Sequence, residues 1–272
     1  MGQDESLSHF RRTFTGLCFV VFPAVWVFAF AVHPDLLHPR LLLGPEDLIR
    51  RAHANDLLQV AHALVTVNTA LLVVVAVHFM TVLKGTRAAR AGVVGAGLAV
   101  VGAVLLAADK GALCLTMSAL DTLPQRQFEQ MMPGLVAIFS LEGLLVMVWG
   151  MVLMPVGVMI QSVGLWRAKV LPARQATLLV TSLVLIAFPD GAEIVNLAAA
   201  LVMAAVLIPY GIRLIGQAEH PALPPARLST PPGPLGTARQ PIDRLQPEAT
   251  APPAPAPPHR GDHRGRTAPA PR

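Results

Sequence analysis

Apolar residues run along this chain in long blocks separated by short polar or proline-containing breaks. The blocks cover residues 15–32, 57–83, 91–108, 134–166, 172–188 and 192–215. Each reaches or approaches the roughly 20 residues a helix needs to cross a hydrocarbon core about 30 Å thick. Lipid offers the backbone no hydrogen-bond partners, so such segments must be helical. The pattern predicts an all-α fold: a polytopic membrane helix bundle of about six transmembrane helices within residues 15–216. It is flanked by a cytoplasmic N-terminus, 1–14, and a disordered Pro/Ala/Arg-rich cytoplasmic tail, 217–272.

The breaks carry their own signals. Arg11 and Arg12 before the first block and Ala29-Phe30-Ala31 at its end look like a signal peptide. The apolar run exceeds the usual core of roughly 7 to 15 residues and further blocks follow, so an uncleaved anchor is expected. Met1-Gly2-Gln3-Asp4-Glu5-Ser6 matches a myristoylation pattern that a first membrane helix makes redundant. Pro45 followed by Glu46 and Asp47 marks a helix start, so the second helix is expected to begin there and stand proud of the bilayer. Pro189-Asp190-Gly191 reads as a tight turn joining the last two helices. No repeat is visible at the level of residues, which leaves an inverted-repeat transporter without direct support.

Composition agrees with the blocks. The 272 residues are 54% hydrophobic and 14% charged, against roughly 25% charged residues in an ordinary soluble domain. The formal charge is +5, yet the basic residues form no groove with interleaved aromatics, and nucleic acid is not an expected partner. They read as topology signals instead. With six alternating helices, Arg11, Arg12, Lys84, Arg87, Arg90, Arg167, Lys169, Arg174 and Arg213 fall on one side. Arg40, Arg50, Arg51 and Arg126 fall on the other, diluted by Asp35, Glu46, Asp47, Asp121 and Glu129. Excess Lys and Arg mark the cytoplasmic side, so both termini are expected inside a cell membrane. Cys18 and Cys114 then sit at opposite faces, and no structural disulfide is expected.

Polar residues inside the apolar blocks are the candidates for chemistry. Glu142 is a lone carboxylate within 134–166, where charge is costly and is kept facing a protein interior or a wet cavity. A span beginning at Gly134 puts it about 12 Å deep, whereas one beginning near Leu144 makes it interfacial. On the second helix Asn55, Gln59, His62, Thr66 and Thr69 recur in steps of four and three and share one face, with His53 and Asp56 at its solvated outer end. That stripe is either interhelical hydrogen bonding or the lining of a site. Ala88, Gly92, Gly95, Ala99 and Gly102 form a small-residue face that lets a neighbouring helix approach and leads to Asp109. Asp109 is either part of a packed polar site or an interfacial pair with Lys110. Asp190 and Glu193 have the spacing of a helix cap, with Asn196 one turn further in.

With the termini inside, His62, Asp109, Glu142 and Glu193 share the outer half. They predict a polar pocket lined by Asn55, Asp56, Gln59, Thr66 and Asn196 and suited to acid/base work. His62 and His78 lie about 160° apart round one helix, so they do not face a common haem or metal. No cofactor is expected, and a metal held by His62 with Asp109 or Glu142 is a minor alternative.

Short stretches of the chain are similar to uncharacterised six-helix bacterial membrane proteins grouped under domains of unknown function. They are His62-Ala63-Leu64, Ala107-Ala108-Asp109, Leu141-Glu142, Leu165-Trp166-Arg167 and Leu171-Pro172, spread over residues 15–215. The resemblance implies a helical membrane fold and no particular reaction.

The residues therefore lead to a membrane-embedded enzyme. It would act on a lipid-like or isoprenoid-like substrate through protonation-driven cyclisation, isomerisation or hydrolysis. Its catalytic residues would be His62, Asp109, Glu142 and Glu193, and its partners membrane lipids and a hydrophobic small molecule. Two alternatives remain open: a proton-coupled permease for a small metabolite, and a non-catalytic membrane subunit or scaffold that recruits a protein partner through its Pro-rich tail.

Overall fold

The apolar blocks become helices in the computed structural model, which describes residues 3–33, 36, 44–138, 141–186 and 193–219. The helices are α1 (Gln3–Ala31), α2 (Pro45–Ala52), α3 (Asp56–Leu83), α4 (Ala89–Leu120), α5 (Gln125–Ile138), α6 (Leu141–Arg167), α7 (Ala173–Ile186) and α8 (Glu193–Glu219). Among the described residues there is no strand. Asp190, the turn around it and the Pro-rich segment beyond Glu219 lie outside the described residues.

Among the described residues five stretches are long and apolar enough to cross a membrane: Glu5–Ala31, Asp56–Leu83, Ala89–Leu120, Trp149–Arg167 and Glu193–Gln217. The fifth expected block, α7, has 14 described residues, about 21 Å of helix. Large apolar side chains such as Val67, 71% exposed, and Val104, 62% exposed, cover the outside of the bundle, as lipid contact requires.

Two of the expected elements differ from their sequence reading. The described residues of the apolar block 134–166 fall in α5 and α6, with 139–140 outside them. α5 turns Phe128, Met132 and Leu135 inward and leaves Gln125, Arg126 and Glu129 exposed, so it is an amphipathic surface helix that ends before the spanning part of α6 begins. The second helix does begin at Pro45, with Glu46 and Asp47 in its first turn. It does not continue into the bilayer. α2 closes at His53, Ala54 takes a left-handed conformation at φ 55°, and Asn55 restarts the chain by accepting a hydrogen bond from Leu58 N as the cap of α3.

Neighbouring spans run antiparallel, as their contacts along the length show. α1 meets α8 at Gly16 and Gly211, where a Cβ on either glycine would lie 2.6–2.7 Å from the other's carbonyl oxygen. α4 meets α6 through the small-residue face read from the sequence: a Cβ on Gly95 would stand 2.6 Å from Gly157 O, and Gly102 abuts the backbone of Met154. Lipid tails are as apolar as leucine, so association rests on such close van der Waals approach. Buried amides add crosslinks. Asn68 Nδ2 donates to Phe22 O of α1 at 2.9 Å, and Gln161 Nε2 donates to Ala76 O of α3 at 2.9 Å and Gly92 O of α4 at 3.2 Å.

Two apolar cores result. The larger lies within the spans around Phe19, Leu72, Phe79, Leu106, Leu165 and Leu207. A second joins Ile49 and Ala52 of α2, Leu58 of α3, Leu113, Met117 and Leu120 of α4, and Phe128, Met132 and Leu135 of α5. Lys84 and Arg90 mark one membrane boundary. Counting about 1.5 Å per residue along α4, the far boundary of a ~30 Å core falls near Asp109. The second core therefore stands beyond the bilayer as a helical cap. Arg50 clamps it, donating to Glu46 of its own helix at 3.0 Å and to Glu129 of α5 at 2.8 Å. His53 stacks on Phe128 with centroids 3.7 Å apart and pairs with Asp121 at 2.9 Å.

Candidate functional site

The antiparallel bundle has two chemically different ends. One gathers Arg11, Arg12, Lys84, Arg87, Arg90, Arg167, Lys169, Arg174 and Arg213. The other carries the cap and most of the polar residues singled out from the sequence.

The polar face of α3 sorts itself by the hydrogen bonds each residue makes. Asn55 caps the helix. Gln59, 8% exposed, donates to Ala52 O and ties α3 to α2, while its own backbone carbonyl receives Cys114 Sγ–H of α4 at 3.5 Å. Thr66 Oγ1 donates to His62 O and Thr69 Oγ1 to Thr66 O, both bonds within the helix. Asp56 is exposed in the first turn. These are structural roles, and they leave His62, whose Nδ1 is buried without a hydrogen-bond partner among the described residues.

His62 lies nearer the surface than its place in the apolar block implied. Twenty-one residues separate it from Leu83, about 32 Å of helix, which is one hydrocarbon thickness from the basic end. Lys110 and His33 are the charged groups that act on it electrostatically. Lys110 Nζ in turn pairs with Asp109 at 3.3 Å, with both side chains mostly covered. This is the Asp109–Lys110 pairing that the sequence offered as one reading. Gly111, one residue on, faces Thr66 of α3.

Glu193 opens α8 and is 2% exposed. Its Oε1 lies 3.1 Å from His33 Nδ1, just past the end of α1. Asn196, one turn into α8, is buried with its Oδ1 lacking a hydrogen-bond partner among the described residues. The structure thus draws Asp109–Lys110, His62 and the His33–Glu193 pair to one level, the seam between cap and bundle. Glu142 belongs to α6, and its side chain lies outside the described residues. Among the described residues no three His, Cys, Asp or Glu side chains gather closely enough to hold a metal ion.

His33 is the member that sequence reasoning left out. It follows the first span directly, as Glu193 starts the last, so an antiparallel α1–α8 pair brings the two together. His78 also gains a partner: its Nε2 lies 3.0 Å from Tyr210 Oη, well away from His62 in the basic half of the bundle.

In the cap, Arg50 holds the Glu129 carboxyl below the usual carboxylate range, first by its hydrogen bonds and then by its charge. The same bonds raise the already high pKa of Arg50.

Searches against protein-family models, curated proteins and solved structures find no match to this chain.

Proposed function

We propose that this protein is a membrane-embedded enzyme acting by acid/base chemistry on a lipid-like substrate at the seam between cap and bundle. The observation that carries the reading is His62. Its buried Nδ1 has no hydrogen-bond partner among the described residues, while every other polar residue on that face of α3 makes at least one hydrogen bond. An unpartnered buried polar atom costs roughly 1–3 kcal/mol, a cost that substrate or water in the site would remove.

In this reading His62 takes a proton from the attacking or isomerising group. The His33–Glu193 pair delivers one on the other side, and the Lys110 ammonium stabilises negative charge that develops between them. The location at the hydrocarbon boundary favours bonds near a lipid headgroup, so hydrolysis or isomerisation there suits the site better than cyclisation deep in the core. The positive-inside rule puts the basic end in the cytoplasm and the seam on the outer face, with both termini inside.

The test is to incubate the purified protein in mixed lipid micelles and to follow substrates and products by mass spectrometry. His62→Gln serves as the paired control. The expected result is lipid products that form with wild type and fall at least about a hundredfold with the variant, the lower end for losing a general base. Equal product from both proteins rules the assignment out.

The permease reading draws support from one feature: the α1–α3–α8 seam is polar at both ends, with His33–Glu193 at one and His78–Tyr210 at the other. Phe19 and Phe79, both fully buried, pack against the His78–Tyr210 end. Proton-dependent uptake into proteoliposomes would establish transport in place of catalysis.

A further inference from the structure

At the basic end, a cavity of about 730 Å³ opens between α1, α3 and α8. Its size is that of a small-ligand site, typically about 300–1,000 Å³. Arg11 and Arg12 stand at its mouth. Arg12 Nη1 reaches the Gln217 carbonyl oxygen at 3.4 Å, and among the described residues neither guanidinium has a carboxylate partner. Thr15 and His78 lie further in, while Leu7, Val82 and Leu214 supply apolar wall.

The cavity also sits at a definite depth. α1 has 29 residues, about 43 Å of helix against a core of about 30 Å. Its first two turns therefore project into the headgroup layer, where Leu7 and Phe10 are 67% and 65% exposed just before the arginines. Two paired cations beside an apolar wall, at headgroup depth, complement a phosphodiester attached to acyl chains.

We propose that this cavity binds the headgroup of an anionic phospholipid, with Arg11 and Arg12 on the phosphate and the chains leaving along Val82 and Leu214. The guanidinium fork suits phosphate oxygens, donating to them two at a time. The ligand belongs to the leaflet that touches the basic end. Its site is separate from the acid/base seam, a whole hydrocarbon thickness away.

Native mass spectrometry of the full chain, released from nanodiscs containing phosphatidylcholine and phosphatidylglycerol, tests the site. Wild type is expected to retain phosphatidylglycerol, and R11Q/R12Q to retain it about thirtyfold less, as the loss of two basic side chains near an anionic headgroup implies. R87Q/R90Q, which removes the same charge from the same end outside the cavity, should retain it like wild type. Leu214→Trp, which fills the apolar wall and leaves the arginines, should also lose the lipid. Equal losses from R11Q/R12Q and R87Q/R90Q would reduce the effect to general attraction and overturn the proposal. So would full retention by R11Q/R12Q, or displacement of the lipid by inorganic phosphate alone.

Discussion

Single side chains at the cap end divide into those that fasten helices and those left over. Arg50 and Glu129 are fasteners, and their pairing has a pH signature. Because Glu129 is held below the ordinary carboxylate value of 4.5, it stabilises the cap fully above that pH, and the contribution is lost as pH falls through its depressed folded value. Protection factors of α2 amides, corrected for intrinsic exchange, should therefore fall on acidification below about pH 4.5 in wild type, a step that Glu129→Gln should lack. A step of equal size in the variant would assign the effect to another group. The polar face of α3 was legible in the sequence from its spacing alone. Which of its members were free was not, because capping and i−4 back-bonding are decided by where the helix starts, and the break at Ala54 moved that start.

Among the helices, the close approach of α4 and α6 is the contact that small residues alone permit. Gly157→Leu puts a branched side chain against the backbone of Ala99 and Gly95, and it should lower stability by about 1–3 kcal/mol, the usual cost of overpacking. Gly97→Ala is the internal comparison. A Cβ there meets nothing, so stability should hold or rise by less than about 1 kcal/mol. Thermal denaturation in one detergent reads both, and similar losses would show that the contact is not tight. The glycine face of α4 was visible in the sequence because small residues recur every three or four positions. The surface helix α5 was hidden because the buried face of an amphipathic helix runs straight into a membrane span. The polar residues among 125–130 were the available signal. Glu142, read as a lone carboxylate inside the apolar block, falls in α6, and its side chain lies outside the described residues.

The whole molecule is a two-ended object, basic at one end and capped at the other. In a background with Cys18 and Cys114 replaced by Ala, Arg126→Cys on the cap should react with an impermeant maleimide on intact cells. Arg87→Cys at the basic end should react only after permeabilisation. The reverse pattern would invert the orientation and place the seam in the cytoplasm. The alternation of apolar blocks and the partition of charge made this architecture readable in advance. The cap was not readable, since its core draws single turns from α2, α3, α4 and α5 that no local pattern connects.

The central claim is that His62 and the His33–Glu193 pair work as one acid/base unit, and a double-mutant cycle on turnover tests it most directly. His62→Gln and Glu193→Gln should each lower kcat at least about a hundredfold, and the double variant should fall little further, as residues acting together do. Single variants that turn over at the wild-type rate, or losses that multiply in the double variant, would contradict it.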